Sequence, residues 1–123
     1  MTIRVVRLGT KRVRGEGVRI GTVRFPPRGV PKSQRGVYFD VWLPNLAPAA
    51  ATFKFVMQTR NFPAFFRKYE AEMKRPENGK IIDLLAALSH SSNFSVGCYC
   101  EDESQCHRSV LRRLLLDRGA KLK

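Results

Sequence analysis

The sequence predicts a single α/β domain with a small, mainly parallel sheet of three or four strands flanked by helices. The length of 123 residues suits one hydrophobic core and is too short for two, so residues 1–123 are expected to form one unit. Short apolar segments occur near both ends of the chain, and segments with helical periodicity lie between them. The last apolar segment leads directly into a helical pattern, as in a strand-to-helix unit of a parallel sheet.

Four short segments are predicted to be extended. Residues 3–8 alternate apolar and basic side chains, and residues 18–20 repeat that alternation. The apolar phase then slips at residues 21–22, which indicates a bulge or a break. Residues 38–43 form a third extended segment that ends at a proline. Residues 94–100 form the last one, and we expect it at the centre of the sheet.

Four helices are expected between and after these segments. Residues 49–58 are compatible with a helix, and residues 62–74 carry an aromatic stripe at helical spacing with Asn61 as the cap. We interpret that stripe as core packing. Residues 76–79 are predicted to be a turn before a buried helix at 80–90. In the final helix, one face carries Val110, Leu111, Leu114 and Leu115.

Charge is strongly positive and concentrated in the N-terminal part of the chain. Lys and Arg number 23 against 10 Asp and Glu, which gives a net charge of +13. Residues 1–35 alone carry ten bases and one acid. Such a surface favours anionic partners such as phosphates, nucleotides or nucleic acid. Apolar residues are interleaved with the bases, which argues against a disordered basic tail.

Cysteine count and hydropathy indicate the compartment. Three cysteines cannot all pair with one another, and the first residues lack the apolar core of a secretion signal. Even the apolar stretch at 81–88 is interrupted by Asp83 and falls short of the roughly twenty residues that span a bilayer. We therefore expect a cytoplasmic protein with no membrane partner.

Residues 98–109 gather all three cysteines, one of the two histidines and an arginine at a strand-to-helix turn. Such a turn presents free backbone N–H groups and the positive end of the helix dipole. In one interpretation, the N–H groups of residues 106–109 bind phosphate or carboxylate oxygens, with Arg108 and Ser109 as side-chain donors. In the other, the acids at 101–103 neutralise the helix start, and Arg108 pairs with one of them.

Cys106 and His107 are the candidate catalytic residues of this turn. A thiol at a helix N-terminus beside His107 and Arg108 has a lowered pKa, although the adjacent acids oppose that effect. We expect Cys106 at the mouth of the turn, where it is the first thiol to react. Cys98 is expected to be a buried small apolar residue.

A zinc site is the alternative use of the same residues. Cys98, Cys100, Cys106 and His107 offer four potential ligands. Their spacing argues against zinc, since structural sites usually contain Cys-x-x-Cys and His107 directly follows Cys106. We expect no metal and no other cofactor.

A second group of cations flanks a proline-rich loop. Arg24, Arg28 and Lys32 surround or lie within residues 26–31, where prolines remove backbone donors and Gly29 permits a sharp turn. This loop is either a solvated basic loop or a cover that adds positive charge to the 98–109 turn.

These segments resemble a known family. Residues 24–32, 39–48, 98–101 and the Cys-His-Arg-Ser run at 106–109 are similar to domain-of-unknown-function family 488, in its YeaO-like branch. The resemblance spans nearly the whole chain and implies a compact Rossmann-like α/β domain without an established activity. It favours the arrangement in which the Arg24–Arg28–Lys32 loop covers the turn. The chain departs from the branch's usual pattern at Val23 and Pro26, where Asp and Trp are usual.

Two functional hypotheses follow from these patterns. The first is an enzyme or binding domain for a small anionic, phosphate-bearing or nucleotide-like ligand, with its site at the Cys106-His107-Arg108 turn. The second is a nucleic-acid-binding accessory module that uses the basic N-terminal face. No recognition-helix, RNA-binding or zinc-finger motif supports the second hypothesis, so it ranks lower. The sequence leaves the oligomeric state open.

Overall fold

The computed structural model describes residues 1–123, which form a four-stranded sheet and four α-helices. The strands are β1 (Ile3–Arg7), β2 (Val18–Gly21), β3 (Val41–Trp42) and β4 (Phe94–Cys98). The helices are α1 (Ala50–Thr59), α2 (Phe62–Met73), α3 (Pro76–Leu88) and α4 (His107–Asp117). None of them combines the length and apolar character needed to cross a bilayer.

The sheet is parallel throughout and has the strand order β1-β4-β2-β3. All five residues of β4 are buried, and the strand pairs with β1 on one side and β2 on the other, which confirms its predicted central position. A side chain at Gly97 would place a Cβ atom 2.7 Å from the Val6 carbonyl oxygen. Only glycine therefore fits at this point of the sheet.

The main core lies between one face of the sheet and helices α2, α3 and α4. Ile3, Phe94 and Val96 supply apolar side chains from the sheet, and paired residues of parallel strands share a face. From the helices, the core receives Tyr69, Met73, Ile82, Leu85, Ala86, Val110, Leu111, Leu114 and Leu115. The predicted α4 face is therefore confirmed as a core surface, and so is the part of the α2 stripe that carries Tyr69 and Met73.

The side chain of Asn61 caps α2 as the sequence predicted. Its Oδ1 atom accepts a hydrogen bond from the Ala64 backbone N–H at 3.2 Å. Phe65, Tyr69 and Met73 of this helix are buried. The cap and the buried stripe together hold α2 against the core.

The local structure differs from the sequence-based prediction at two places. Pro76 does not belong to a separating turn but is the first residue of α3, because a proline is tolerated where its missing N–H would have no helical partner. The extended segment predicted at 38–43 shrinks to the two residues of β3. A 3₁₀ helix at Lys32–Val37 precedes it.

A buried ion pair supports the other face of the sheet. The Arg19 Nε and Nη2 atoms donate to the two carboxylate oxygens of Glu16 at 2.7 and 2.8 Å. The Ser95 hydroxyl donates to the same carboxylate at 2.8 Å, and Arg19 Nη1 donates to the Thr10 carbonyl at 2.9 Å. These contacts tie the segment before β2 to the central strand.

Candidate functional site

A cleft of about 630 Å³ opens at the carboxyl end of β4. Open parallel sheets bind ligands at this end of their strands. Three segments line the cleft: the loop after β2, the helix pair α1 and α2, and the segment between β4 and α4. The apolar part of the lining includes Val23, Phe25, Phe53, Val56, Met57, Phe62 and Phe65.

Cys106 lines the base of this cleft as the N-cap residue of α4. It is only 1% exposed, so the prediction that it lies at the mouth of the turn is wrong. The Arg108 Nε atom donates a hydrogen bond to the Cys106 sulfur at 3.4 Å. The His107 Nδ1 atom lies 3.7 Å from the same sulfur. The thiol therefore contacts two basic side chains of its own turn.

The orientation of His107 is fixed by the chain segment that follows β2. Its Nε2 atom lies 2.7 Å from the Thr22 carbonyl oxygen, which can only accept a hydrogen bond, so Nε2 carries a proton and donates. The ring packs edge-on against Tyr69, with 5.1 Å between the ring centroids. In neutral His107, Nδ1 is consequently the atom that can accept the Cys106 proton.

Arg108 is 3% exposed and has no carboxylate partner. Its Nη2 atom donates to the Cys100 carbonyl oxygen at 2.6 Å, and its Nε atom to Cys106. The predicted alternative, an ion pair with one of the acids at 101–103, is therefore wrong.

The three neighbouring acids have other partners. Glu101 pairs with Arg7, and Glu103 forms two hydrogen bonds with Arg112. The Asp102 carboxylate accepts hydrogen bonds from the Ser104 N–H and hydroxyl. The three acids therefore interact with other residues and not with Arg108.

The three free cysteines come together at the end of β4. Their Sγ atoms all lie within 4.8 Å of one another, and Cys98 Sγ donates to Cys100 Sγ at 3.7 Å. Cys98 is buried, as predicted, whereas Cys100 is exposed and lines the cleft. The sequence predicted that the three cysteines lie at one strand-to-helix turn but not that their sulfur atoms would meet.

The cluster separates the pKa values of its thiols. Contacts with the Cys100 and Cys98 thiols, and then with His107, hold the pKa of Cys106 below its ordinary value. The proximity of Cys106 raises the pKa of Cys100, and the two neighbouring thiols together with burial raise that of Cys98. Cys106 is therefore the group that ionises first, with the other two as neutral thiols beside it.

The structure brings some of the predicted ligand-binding residues to the cleft and leaves others outside it. Arg24 and Arg28 line the same cleft as the turn. The Arg24 guanidinium also donates to the Pro48 and Ala47 carbonyl oxygens. Lys32 lies outside the lining, and so does Ser109, whose hydroxyl donates to the Cys106 carbonyl oxygen at 2.9 Å.

Sequence reasoning missed several contributors to this site. Thr22 holds His107, although its only signal in the sequence was the slip of the apolar phase after residue 20. Arg60 lines the cleft at the end of α1, where its φ of 54° is left-handed. Its guanidinium lies 5.1 Å from the Phe62 ring centroid. Nothing in the sequence distinguished it from other surface arginines.

Comparison with known proteins identifies the family. A family model described as the active subclade of DUF488-N3 matches residues 3–119. No curated protein and no solved structure matches the chain significantly. The match is to the N3a subclade, so membership of the YeaO-like branch stays a prediction. The matched region covers almost the whole sequence, and the chain therefore belongs to the DUF488 family.

Proposed function

We propose that this protein is a cysteine-dependent enzyme whose Cys106 thiolate attacks a small substrate bound in the cleft. The observation that carries this proposal is the buried Arg108 guanidinium, which has no carboxylate partner and donates to the Cys106 sulfur. A buried charge is strongly disfavoured unless it is paired. Arg108 contacts the Cys106 sulfur and the Cys100 carbonyl oxygen, and of these two groups only the thiol can carry a negative charge.

His107 accepts the proton that Cys106 loses. Its Nδ1 atom faces the sulfur at 3.7 Å, while the Thr22 carbonyl keeps the other ring nitrogen protonated. Proton transfer produces a thiolate beside an imidazolium, the arrangement that activates many nucleophilic cysteines. Arg108 and the N-terminus of α4 stabilise the negative charge on sulfur.

The lining of the cleft favours an organic molecule with an apolar body and an anionic group. Aromatic and aliphatic side chains make up most of the wall, and a cleft of about 630 Å³ suits a drug-sized ligand. Arg24, Arg28 and Arg60 supply positive charge near it. Arg28 and Arg60 make no ion pair within the chain and are the donors best suited to the anionic group.

This proposal changes the roles expected from the sequence. Arg108 acts on the cysteine rather than on the ligand, because two of its nitrogens are occupied by Cys106 and Cys100. Ser109 stabilises the turn through its bond to the Cys106 carbonyl. The description of the matched subclade as active agrees with an enzyme.

Ionisation of Cys106 tests the proposal directly. The ultraviolet absorbance of thiolate should titrate well below the ordinary thiol range in the wild-type protein, and Cys106→Ser should lose that transition. At pH 7, where an ordinary thiol is mostly protonated, the wild type should already show the absorbance of one thiolate. Titration of Cys106 at or above the ordinary range would reject the enzyme mechanism.

A nucleic-acid-binding role is the second candidate, and one observation favours it. A hollow of about 240 Å³ at the amino-terminal end of the sheet is lined by Arg4, Arg14 and Lys123 together with polar groups. Closely spaced cations on an open surface favour phosphate groups. This hollow lies at the opposite end of the strands from the cleft, so the two activities would use separate surfaces.

A further inference from the structure

A nucleophilic cysteine assisted by a histidine does not need further thiols, yet two more lie beside Cys106. Cys98 ends β4, Cys100 follows two residues later, and Cys106 begins α4. Their sulfur atoms lie within 4.8 Å of one another. A disulfide requires a sulfur separation of about 2.05 Å, so a movement of at most roughly 3 Å would join Cys106 to a neighbour.

We propose that the substrate is an organic hydroperoxide, which Cys106 reduces and Cys100 then resolves through an intramolecular disulfide. This inference rests on the proposed cysteine-dependent activity and specifies its substrate class. Neighbouring thiols have a use in a reaction that oxidises Cys106, because an oxidised cysteine is released by attack of a second thiol.

The two steps balance in atoms and electrons. The Cys106 thiolate attacks the terminal oxygen of the hydroperoxide, the O–O bond breaks, and the leaving alkoxide takes a proton to give the alcohol. Cys106 becomes a sulfenic acid. The Cys100 sulfur then attacks the Cys106 sulfur, the S–O bond breaks, and water leaves as the disulfide forms. A dithiol reductant restores both thiols by exchange.

Exposure assigns the resolving role to Cys100 rather than Cys98. Cys100 is exposed and lines the cleft, whereas Cys98 is 8% exposed and belongs to the central strand. A reductant can therefore reach a Cys100–Cys106 disulfide. The segment between these two cysteines contains only a short 3₁₀ helix, Glu103–Gln105, and can adjust more readily than β4.

The burial of Cys106 favours a hydroperoxide over a disulfide substrate. At 1% exposure, the sulfur can be reached by a terminal oxygen that carries only hydrogen. A disulfide substrate would have to bring a substituted sulfur into line with Cys106. The apolar lining and the arginines near the cleft suit a hydroperoxide whose organic part carries a carboxylate.

The same sulfur cluster has the composition of a site for a thiophilic cation. Two features disfavour that use. The Arg108 guanidinium already donates to Cys106, and His107 directs its protonated Nε2 atom to Thr22 instead of towards the cluster. About one zinc per chain in the purified reduced protein would overturn the hydroperoxide proposal.

The experiment uses the reduced full-length protein and cumene hydroperoxide. We expect the wild type to lose two hydrogens in intact mass and to yield a Cys100–Cys106 disulfide on peptide mapping. Cys100→Ser should instead gain one oxygen atom in intact mass, as a Cys106 sulfenic acid, and Cys106→Ser should form neither product. Arg113→Gln, which changes an exposed arginine of α4 paired with Glu70 and Asp117, serves as a folded control that reacts like the wild type.

Each contrary result has a defined meaning. If Cys106 ionises at low pH but cumene hydroperoxide oxidises it no faster than free cysteine, the hydroperoxide inference fails while the proposed thiolate enzyme stands. If disulfide formation requires Cys98 and not Cys100, the resolving role assigned here is wrong. If Cys106 does not ionise at low pH, the proposed function fails first.

Discussion

Arg19 and Arg108 are both buried guanidinium groups, 1% and 3% exposed, but they have different partners. Two nitrogen atoms of Arg19 donate hydrogen bonds to the Glu16 carboxylate, and the Ser95 hydroxyl donates a third. Arg108 contacts a sulfur atom and a carbonyl oxygen. Arg19 therefore has a permanent counter-charge, whereas Arg108 has a counter-charge only when Cys106 is ionised.

The difference separates a residue that stabilises the fold from one that prepares a reaction. A charge balanced by a carboxylate remains balanced across the ordinary pH range. A charge balanced by a thiolate makes that thiolate reactive, because the sulfur must remain anionic to neutralise it. Variants of the two sites should consequently have different effects, on stability in one case and on thiol chemistry in the other.

The largest effect on stability is expected at the carboxylate-paired arginine. Glu16→Gln removes the counter-charge and leaves Arg19 buried, which should cost about 3–5 kcal/mol of the free energy of unfolding. Urea denaturation measures this loss. Asp83→Asn, which removes the exposed partner of Arg118, is the matched control and should cost about 0–1 kcal/mol. Equal losses in both variants would contradict the structural role of the buried pair.

Arg108→Gln should mainly change the chemistry of Cys106. Without the guanidinium, the pKa of Cys106 should rise towards its ordinary value, and the thiolate absorbance should titrate at correspondingly higher pH. Arg113→Gln removes an exposed arginine of α4 whose partners are Glu70 and Asp117 and should leave this titration unchanged. An unchanged titration in Arg108→Gln would contradict the role proposed for Arg108.

The two sites should also lose their stabilisation in different pH ranges. The Arg19 hydrogen bonds lower the pKa of Glu16 from 4.5 to about 2, so its contribution is complete above 4.5 and is lost as pH falls towards 2. The pKa of Cys106 is lowered from an ordinary 9.0, so its contribution is complete above pH 9 and declines as pH falls from there.

Urea denaturation of the wild type, Glu16→Gln and Cys106→Ser at a series of pH values measures these ranges. The stability difference between the wild type and Glu16→Gln should shrink only in acid. That between the wild type and Cys106→Ser should already decrease between pH 9 and neutrality. A constant difference for Cys106→Ser across that interval would mean that the thiol has the same pKa in the folded and unfolded chain.

The smallest effect is expected at the basic hollow. If it binds nucleic acid, Arg4→Ala should weaken binding at low salt and reduce the dependence of log affinity on log salt by about 0.9 per lost phosphate contact. Arg28→Ala, in the cleft, is the control at the other end of the sheet. Equal effects of the two variants, or binding no stronger than that of heparin, would reduce this interaction to general charge attraction.

The fold was largely predictable because the spacing of apolar residues indicates which faces of the helices and strands are buried. Asn61, the α2 stripe and the central position of β4 all follow from that periodicity and from capping preferences. Pro76 was misassigned because proline occurs both in turns and at the first position of a helix, and local sequence does not distinguish these environments.

The site was predictable in position but not in internal arrangement. The strand-to-helix turn with Cys106, His107 and Arg108 was found because rare residue types are adjacent in sequence. The partners of those residues depend on long-range contacts, such as Thr22 with His107, which no local pattern encodes. The burial of Cys106 was not predicted, because it depends on how the 3₁₀ segment before it directs the side chain.

The position of β4 has a consequence for how the chain acquires its structure. Ile3 pairs with Phe94 and Ile20 pairs with Val96, strand residues that come much later in the chain. The first two strands do not contact each other in the sheet, so each waits for the last one. Pairing across such sequence separations is slow to form. Cys106 follows β4 in the chain, so its buried environment forms in the same event that completes the sheet.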